Sequence, residues 1–351
     1  MKTRILTFAF VLWVCCFLAY VLVCFSACSD DASTTSITTD DEVNPIAVEV
    51  VFSPNGFGDL CYNDNILYGL QCSYEELDFD LTFFVPEDVA TGMERYADWL
   101  AADLDAGVEK SLFIFASSEY EESFRSASLP TDDRKEILLF ETADTIPGAY
   151  TFRLGMYGIS YAIGGERATA DTLLFGSLPN VAIVAANSAD RVVRSAVEGF
   201  ADGYLSYGGE VCDIFYLSDD ISGGYNQVEE AYQLCSQLAD EGYTFVFPVV
   251  GGSNMGIYRY SRENFMVVTG MDGDMSAYTY SMLTSLVKRI DLALADFLRQ
   301  WSKGEEVAQH QDFLFGSDYL QIANYWPYEP ADSVAIRADA VQKERVYEGL
   351  E

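Results

Sequence analysis

The chain has 351 residues, half of them apolar and 14% aromatic, so a sizeable core can form and wholesale disorder is excluded. It carries 55 Asp and Glu against 20 Lys and Arg, a formal net charge of −35. A solvated surface of this sign repels polyphosphate, which excludes nucleic acid as a partner. The length suits two lobes of ordinary domain size.

The N-terminus has the pattern of a secretory signal. Lys2 and Arg4 precede an uncharged run over residues 5–27, and small residues come directly before Cys28. This junction resembles a bacterial lipoprotein signal, which predicts a signal peptide over 1–27 and a lipid anchor at Cys28. The alternative is an uncleaved membrane-spanning helix, since the run is long enough to cross a bilayer. Either way the body of the protein lies in the cell envelope, on the periplasmic or the surface face.

Apolar runs rich in β-formers then alternate with stretches of helical period. Residues 28–44 are polar and acidic and predict a flexible tether. The continuous apolar runs favour parallel sheets with helical crossovers, and their number favours two doubly wound sheets side by side. Strands are predicted at 46–52, 79–85, 111–116, 136–140, 180–185, 211–217, 243–248 and 265–269, and helices at 64–77, 88–104, 160–174, 190–207, 227–240 and 278–303.

Four cysteines lie beyond the anchor. An oxidising compartment permits Cys61–Cys72 and Cys212–Cys235 bridges, and free buried thiols are the alternative. None has the short paired spacing of a zinc site. The sequence therefore predicts neither a metal nor a cofactor.

Ligands of doubly wound sheets bind beyond the carboxyl ends of the strands. The first predicted strand is followed by a glycine-bearing, polar and aromatic loop that contains Asp59, Tyr62 and Asn63. This loop is either part of a binding site or an ordinary turn into a helix.

Six segments in order carry a resemblance to a known family. They are Gly-Asp-Leu-Cys-Tyr-Asn-Asp at 58–64, Tyr-Gly-Ile-Ser-Tyr-Ala-Ile-Gly at 157–164, Glu-Gly-Phe-Ala-Asp-Gly at 198–203, Val-Phe-Pro-Val-Val-Gly-Gly at 246–252, Thr-Gly-Met-Asp-Gly-Asp at 269–274 and Leu-Thr-Ser-Leu-Val-Lys-Arg-Ile-Asp at 283–291. Together they resemble the basic membrane protein family, bacterial lipoproteins similar to the purine nucleoside receptor PnrA.

The resemblance implies an α/β, two-lobed type I periplasmic-binding-protein fold with helices on both faces of each sheet. It also implies delivery of a small solute to an ABC transporter permease. The chain is expected to cross between lobes near 152–157 and 271–274. The implied lobes are 45–155 plus 275–305 and 156–272 plus 310–325, followed by a C-terminal tail at 326–351.

The resemblance also implies the solute site. Tyr62 would stack on a planar ring and Asn63 would hydrogen-bond to it. Asp272 and Lys288 would hold hydroxyls, with Lys288 neutralising Asp272 when the cleft closes. The alternatives are a turn residue at Asp272 and a solvated lysine. The expected ligand-binding set is Tyr62, Asn63, Asp272, Lys288, Asp59 and Gly251, for a nucleoside-like solute.

The sequence departs from the family pattern at three places, the first being Tyr62, which replaces the more usual Phe. Ser53 and Pro54 stand where the family has an Asp after its first strand, and Tyr157 stands where Glu is usual. These departures leave open another solute, such as a sugar or a modified base.

Catalytic motifs are not found in the sequence. His310 is the single histidine and has no triad signature. The glycines from 251 to 256 suit either an anion cradle or a ligand-facing loop. We therefore expect a binding protein and not an enzyme; the competing classes are a nucleoside hydrolase built on Asp272, Asp274 and Asp59, and a surface adhesin.

Overall fold

The computed structural model describes residues 34–37, 44–175, 180–325 and 332–350. The strands are β1 Thr34–Ile37, β2 Ile46–Val51, β3 Asp80–Phe84, β4 Lys110–Phe115, β5 Lys135–Leu139, β6 Tyr150–Leu154, β7 Asn180–Asn187, β8 Asp213–Ser218, β9 Tyr243–Val249, β10 Val267–Gly270, β11 Met282–Lys288, β12 His310–Phe313 and β13 Leu320–Asn324. The helices are α1 Tyr62–Leu77, α2 Val89–Ala101, α3 Glu121–Arg125, α4 Tyr157–Phe175, α5 Arg191–Ser206, α6 Val228–Asp240, α7 Asn254–Asn264, α8 Ile290–Ser302 and α9 Ser333–Tyr347.

These strands form two sheets, one in each lobe. The first has the order β1-β3-β2-β4-β5-β6-β12 and the second β13-β11-β10-β9-β7-β8. Both are parallel apart from one antiparallel strand at an edge of each, β1 and β13. The predicted α/β fold with two parallel-sheet lobes is thus confirmed.

Each sheet carries helices on both faces because its strands are apolar on both sides. In the first lobe, α1 and α8 cover one face with Ile66, Leu294 and Phe297. On the other face, Tyr96 of α2 packs edge-on against the ring of Phe113 at 5.3 Å between centroids. Burying apolar side chains of this size contributes roughly 1.5–3 kcal/mol each.

The glycines at 199 and 203 have a packing role in the second lobe. Helices α4 and α5 approach so closely that a Cβ on Gly203 would lie 2.0 Å from the carbonyl oxygen of Tyr161. A Cβ on Gly199 would lie 2.2 Å from the carbonyl oxygen of Tyr157. Only glycine permits this backbone contact, so the repeated small residue in the 198–203 segment serves helix packing.

The predicted helix over 278–303 is wrong in its first half. Residues 282–288 form β11, which pairs with β10 and β13 in the second sheet. Its leucines and Val287 suit helix and strand alike, so local sequence does not separate the two. Hydrogen bonding to β10 on one side and to β13 on the other makes this segment a strand.

The expected lobe boundaries change with this strand. β11 belongs to the second lobe, although 275–305 was expected in the first, and α8 then packs against α1 of the first lobe. β12 joins the first sheet, although 310–325 was expected in the second lobe, and β13 returns to the second sheet. The second crossing therefore follows β11 instead of lying at 271–274.

Two terminal segments also differ from expectation. The predicted tether contains β1, which pairs antiparallel with β3 at the edge of the first sheet. The segment expected as a C-terminal tail contains α9, which packs on α4 and buries Ile336, Ala340 and Glu344.

Candidate functional site

A cavity of about 100 Å³ lies between the two sheets, at the carboxyl ends of their strands. Both lobes line it, and all six residues expected to bind the solute are among the lining residues. The lining comprises Ser53, Asn55, Asp59, Tyr62, Asn63, Ser117, Ser118, Glu119, Glu141, Met156, Asp190, Val192, Val193, Tyr225, Asn226, Val249, Gly251, Gly252, Met271, Asp272 and Lys288.

Asp59 caps the N-terminus of α1. Its carboxylate accepts hydrogen bonds from the backbone N–H groups of Cys61, Asn63 and Asp64 at 3.0, 2.9 and 3.2 Å. These N–H groups have no partner within the helix, so an acidic cap stabilises the helix start. Burial nevertheless raises the pKa of Asp59. Its oxygens are engaged by the backbone, so Asp59 orients the residues that follow it.

Tyr62 and Asn63 follow this cap and bring polar atoms to the cavity. Asn63 Nδ2 donates to the carbonyl oxygen of Gly56 at 2.8 Å. Its Oδ1 and the hydroxyl of Tyr62 are both buried without a hydrogen-bond partner among the described residues. A buried polar atom left unpaired costs about 1–3 kcal/mol, so both atoms are suited to a bound molecule.

Lys288 forms a buried ion pair with Glu141 and not with Asp272 as expected. Lys288 is the last residue of β11, and Glu141 lies two residues after β5, so the pair joins the two lobes. Both side chains are 2% exposed. The ammonium also lies 4.9 Å from the ring centroid of Tyr62, a cation–π contact.

Asp272 follows β10 in a left-handed conformation, with φ of 62°. Its carbonyl oxygen accepts from Asn65 Nδ2 of the opposite lobe at 3.2 Å. Burial raises the pKa of its carboxyl to about 6, although the charge of Lys288 opposes that shift. Asp272 therefore retains a carboxylate at the cavity that is electrostatically coupled to Lys288 without being paired to it.

Gly251 opens a short turn, Gly251–Ser253, at the end of β9. Its φ is +52°, and a Cβ there would lie 3.0 Å from the ring of Tyr225. The glycine thus lets the backbone pass close to an aromatic residue that lines the cavity.

Three acidic residues of the site were not predicted from the sequence. Glu119 and Glu141 follow β4 and β5, and Asp190 follows β7. Asp190 caps α5 through the N–H of Val192 at 2.7 Å and accepts from the hydroxyl of Tyr225 at 2.9 Å. Glu141 directly follows the predicted strand 136–140, so the rule applied to the first strand would have found it. Glu119 and Asp190 lie three and five residues beyond the predicted strands 111–116 and 180–185, where that rule is less specific.

Hydrogen bonds between the lobes close the mouth of the cavity. Asn226 Nδ2 of the second lobe donates to the carbonyl oxygen of Asn55 at 2.8 Å. Ser118 Oγ of the first lobe donates to Asp190 Oδ2 at 2.8 Å. The structure is therefore that of a closed cleft.

The remaining expectations concern cysteines, metals and the membrane. Cys61, Cys72, Cys212 and Cys235 are free thiols, and the expected anchor Cys28 lies outside the described residues. Within the described ranges, no three His, Cys, Asp or Glu side chains are grouped to hold a metal ion. The same ranges contain no helix long and apolar enough to cross a membrane. His310 lies in β12, 2.7 Å from Thr151 Oγ1, and does not line the cavity.

Solved structures share this architecture. An ABC transporter system solute-binding protein from Aeropyrum pernix K1 superposes with a TM-score of 0.68 at 16% identity, covering 87% of this chain and 90% of its own. An ABC transporter solute-binding protein from Burkholderia graminis C4D1M, in complex with D-arabinose, superposes at 0.59 with 13% identity, covering 83% and 100%. A transcriptional activator of the comK gene from Bacillus halodurans reaches 0.62 at 16% identity, covering 85% and 96%.

At these identities the likeness establishes the fold, which is that of the periplasmic binding proteins. No family model matches the chain, and no curated protein matches it.

Proposed function

We propose that this chain is an extracytoplasmic solute-binding protein that captures a small polar molecule between its lobes for an ABC transporter. The observation that carries the proposal is the cavity, which is lined from both lobes by residues with buried polar atoms that have no hydrogen-bond partner in the described part of the chain. Binding proteins of this architecture enclose their solute by closing two lobes on a hinge. Solute-binding proteins and a transcriptional activator share this fold. The secretory pattern of residues 1–27 supports the extracytoplasmic role over transcriptional regulation.

A nucleoside-like solute is the proposed ligand, on the resemblance of the motifs around Tyr62 and Asp272. The Tyr62 ring lines the cavity and offers a stacking surface for a base. The Asp272 carboxylate suits two adjacent ribose hydroxyls, because charge-assisted hydrogen bonds are strong. The competing ligand is a sugar, favoured by the D-arabinose complex of a similar structure.

Calorimetry against purine nucleosides, pyrimidine nucleosides and free sugars tests the proposal. At least one of these solutes should bind and be recovered unchanged. We expect Asp272→Ala to weaken binding by about 2–5 kcal/mol, because it removes charge-assisted bonds beside a buried lysine. The matched control is Asp274→Ala, two residues on, which removes an exposed carboxylate bonded to Tyr325 and should leave affinity unchanged. Equal binding by Asp272→Ala and the parent would contradict the proposed site.

Membrane attachment through Cys28 is part of the proposal and rests on the small residues before it and the basic start of the chain. Cys28→Ser should move the protein from the membrane fraction to the soluble fraction, because acylation needs the thiol. Cys72→Ser, at an exposed position of α1, is the control and should remain with the membrane. Retention of Cys28→Ser on the membrane with residues 1–27 still attached would support a signal anchor instead.

A further inference from the structure

The charge of the cavity is strongly unbalanced. Within the described residues, Lys288 is the one basic side chain that lines it. Five acidic side chains line it as well: Asp59, Glu119, Glu141, Asp190 and Asp272. Buried carboxylates are costly unless a cation or several hydrogen-bond donors satisfy them.

Three of these carboxylates have strong partners of their own. Asp59 and Asp190 cap the N-termini of α1 and α5, where the helix dipole favours negative charge. Glu141 holds Lys288 and accepts from the N–H of Leu154. Lys288, the basic residue of the cavity, is therefore ion-paired with Glu141 and does not neutralise another carboxylate there.

Glu119 lacks such a partner. It is 6% exposed, and its Oε2 accepts hydrogen bonds from the hydroxyls of Ser53 and Ser117 at 2.5 and 2.8 Å. Its Oε1 is buried and accepts no hydrogen bond from any described residue. Two neutral hydroxyls on one oxygen leave the carboxylate without a cation among the described residues. Its second oxygen has no donor there, in a side chain that lines the cavity.

A second buried acceptor lines the same cavity. Asn63 Oδ1 is unpaired among the described residues, while Asn63 Nδ2 is held by Gly56. Glu119 Oε1 and Asn63 Oδ1 are both acceptors, so a solute that pairs with them must carry hydrogen-bond donors.

We infer that the solute carries a protonated amine, seated against Glu119 Oε1. This inference rests on the proposed solute-binding function and specifies the class of solute that the site takes. An ammonium group supplies both the missing charge and up to three N–H donors, whereas a hydroxyl supplies one donor and no charge.

Matched pairs of solutes test the inference, because each pair shares one skeleton. Binding of glucose is compared with glucosamine, and of adenosine with 3′-amino-3′-deoxyadenosine, below the pKa of the amines. The aminated member should bind at least about tenfold more tightly, the effect of one hydrogen bond to a charged group. Glu119→Gln should remove that preference, chiefly by weakening the binding of the aminated members. Glu122→Gln, an exposed carboxylate three residues on, is the control and should keep the preference.

Thermal unfolding without solute gives a second measurement. Glu119→Gln removes an uncompensated buried charge, so the free variant should unfold at a higher temperature than the parent, and Glu122→Gln should not. The inference would be overturned if neutral members bound as tightly as aminated ones. It would also be overturned if Glu119→Gln kept the preference of the parent. Either result would leave the proposed solute-binding function intact. If no molecule of the pairs or of the wider panel binds, the receptor function itself fails.

Discussion

At the scale of single residues, the ion pair of Lys288 and Glu141 connects the two lobes. The ammonium of the last β11 residue reaches a carboxylate of the first lobe and stands over the Tyr62 ring. Such a pair gains little over apolar packing, but the loss of one partner strands the other charge in the interior. Its contribution is therefore tested by removing one partner and then both.

Lys288→Met should lower the free energy of unfolding by about 3–5 kcal/mol, because Glu141 is then left buried and unpaired. Equilibrium urea unfolding measures the change. Adding Glu141→Gln to Lys288→Met should restore part of the loss. The exposed pair of Arg134 and Asp132 is the comparison, and Arg134→Gln should leave the urea midpoint unchanged. A Lys288→Met midpoint equal to that of the parent would show that the ion pair contributes nothing.

Helix α9 shows how one element depends on a buried carboxyl. Glu344 accepts hydrogen bonds from the backbone N–H groups of Gly158, at 3.0 Å, and Phe315, at 2.5 Å. These groups lie at the start of α4 and just after β12, where the chain passes between lobes. The helix therefore fastens the C-terminal segment to the crossing strands.

Burial raises the pKa of Glu344 to about 7, reinforced by Glu348 and opposed by these N–H groups and Arg153. A glutamate in the unfolded chain titrates at about pH 4. Between that pH and neutrality, the Glu344 carboxyl therefore keeps a proton in the folded chain that it has released in the unfolded chain. The stability contributed by Glu344 is therefore greatest in acid and falls as pH rises towards 7.

Glu344→Gln stays neutral at every pH, so it isolates this effect. The parent should lose stability relative to the variant between about pH 4 and about pH 7, measured by urea unfolding at each pH. Circular dichroism confirms that the variant is folded. A stability difference that stays constant over this range would contradict the raised pKa.

The whole molecule has a closed cleft, with Asn226 on Asn55 and Asn65 on the Asp272 carbonyl. Together with Ser118 on Asp190 and the Lys288–Glu141 ion pair, these are polar contacts, which water can replace when the lobes part, whereas each apolar core lies within one lobe. The lobes should therefore separate without solute and close around it.

Small-angle scattering should show a smaller radius of gyration with saturating solute than without. The Asp272→Ala variant provides the control, because it should not contract at a concentration that closes the parent. A parent radius that does not change at saturation would argue against hinge closure.

The sequence by itself determined the two-lobed α/β class. The strand and helix periods are local, so the run ending at Val51 and the helical stretch up to Leu77 are readable without knowing their neighbours. The loop after the first strand was also identified, since polar residues at a strand end are visible in one segment. Tyr62 and Asn63 line the cavity for that reason.

Only the tertiary structure decided what depends on segments far apart in the chain. Residues 282–288 are equally suited to helix and strand, and pairing with β10 and β13 makes them β11. The partner of Lys288 is Glu141, 147 residues away, because the carboxyl ends of two sheets meet across the cleft. The acidic character of the cavity arises in the same way: Glu119 and Asp190 come from different lobes, and only strand order brings their carboxylates together.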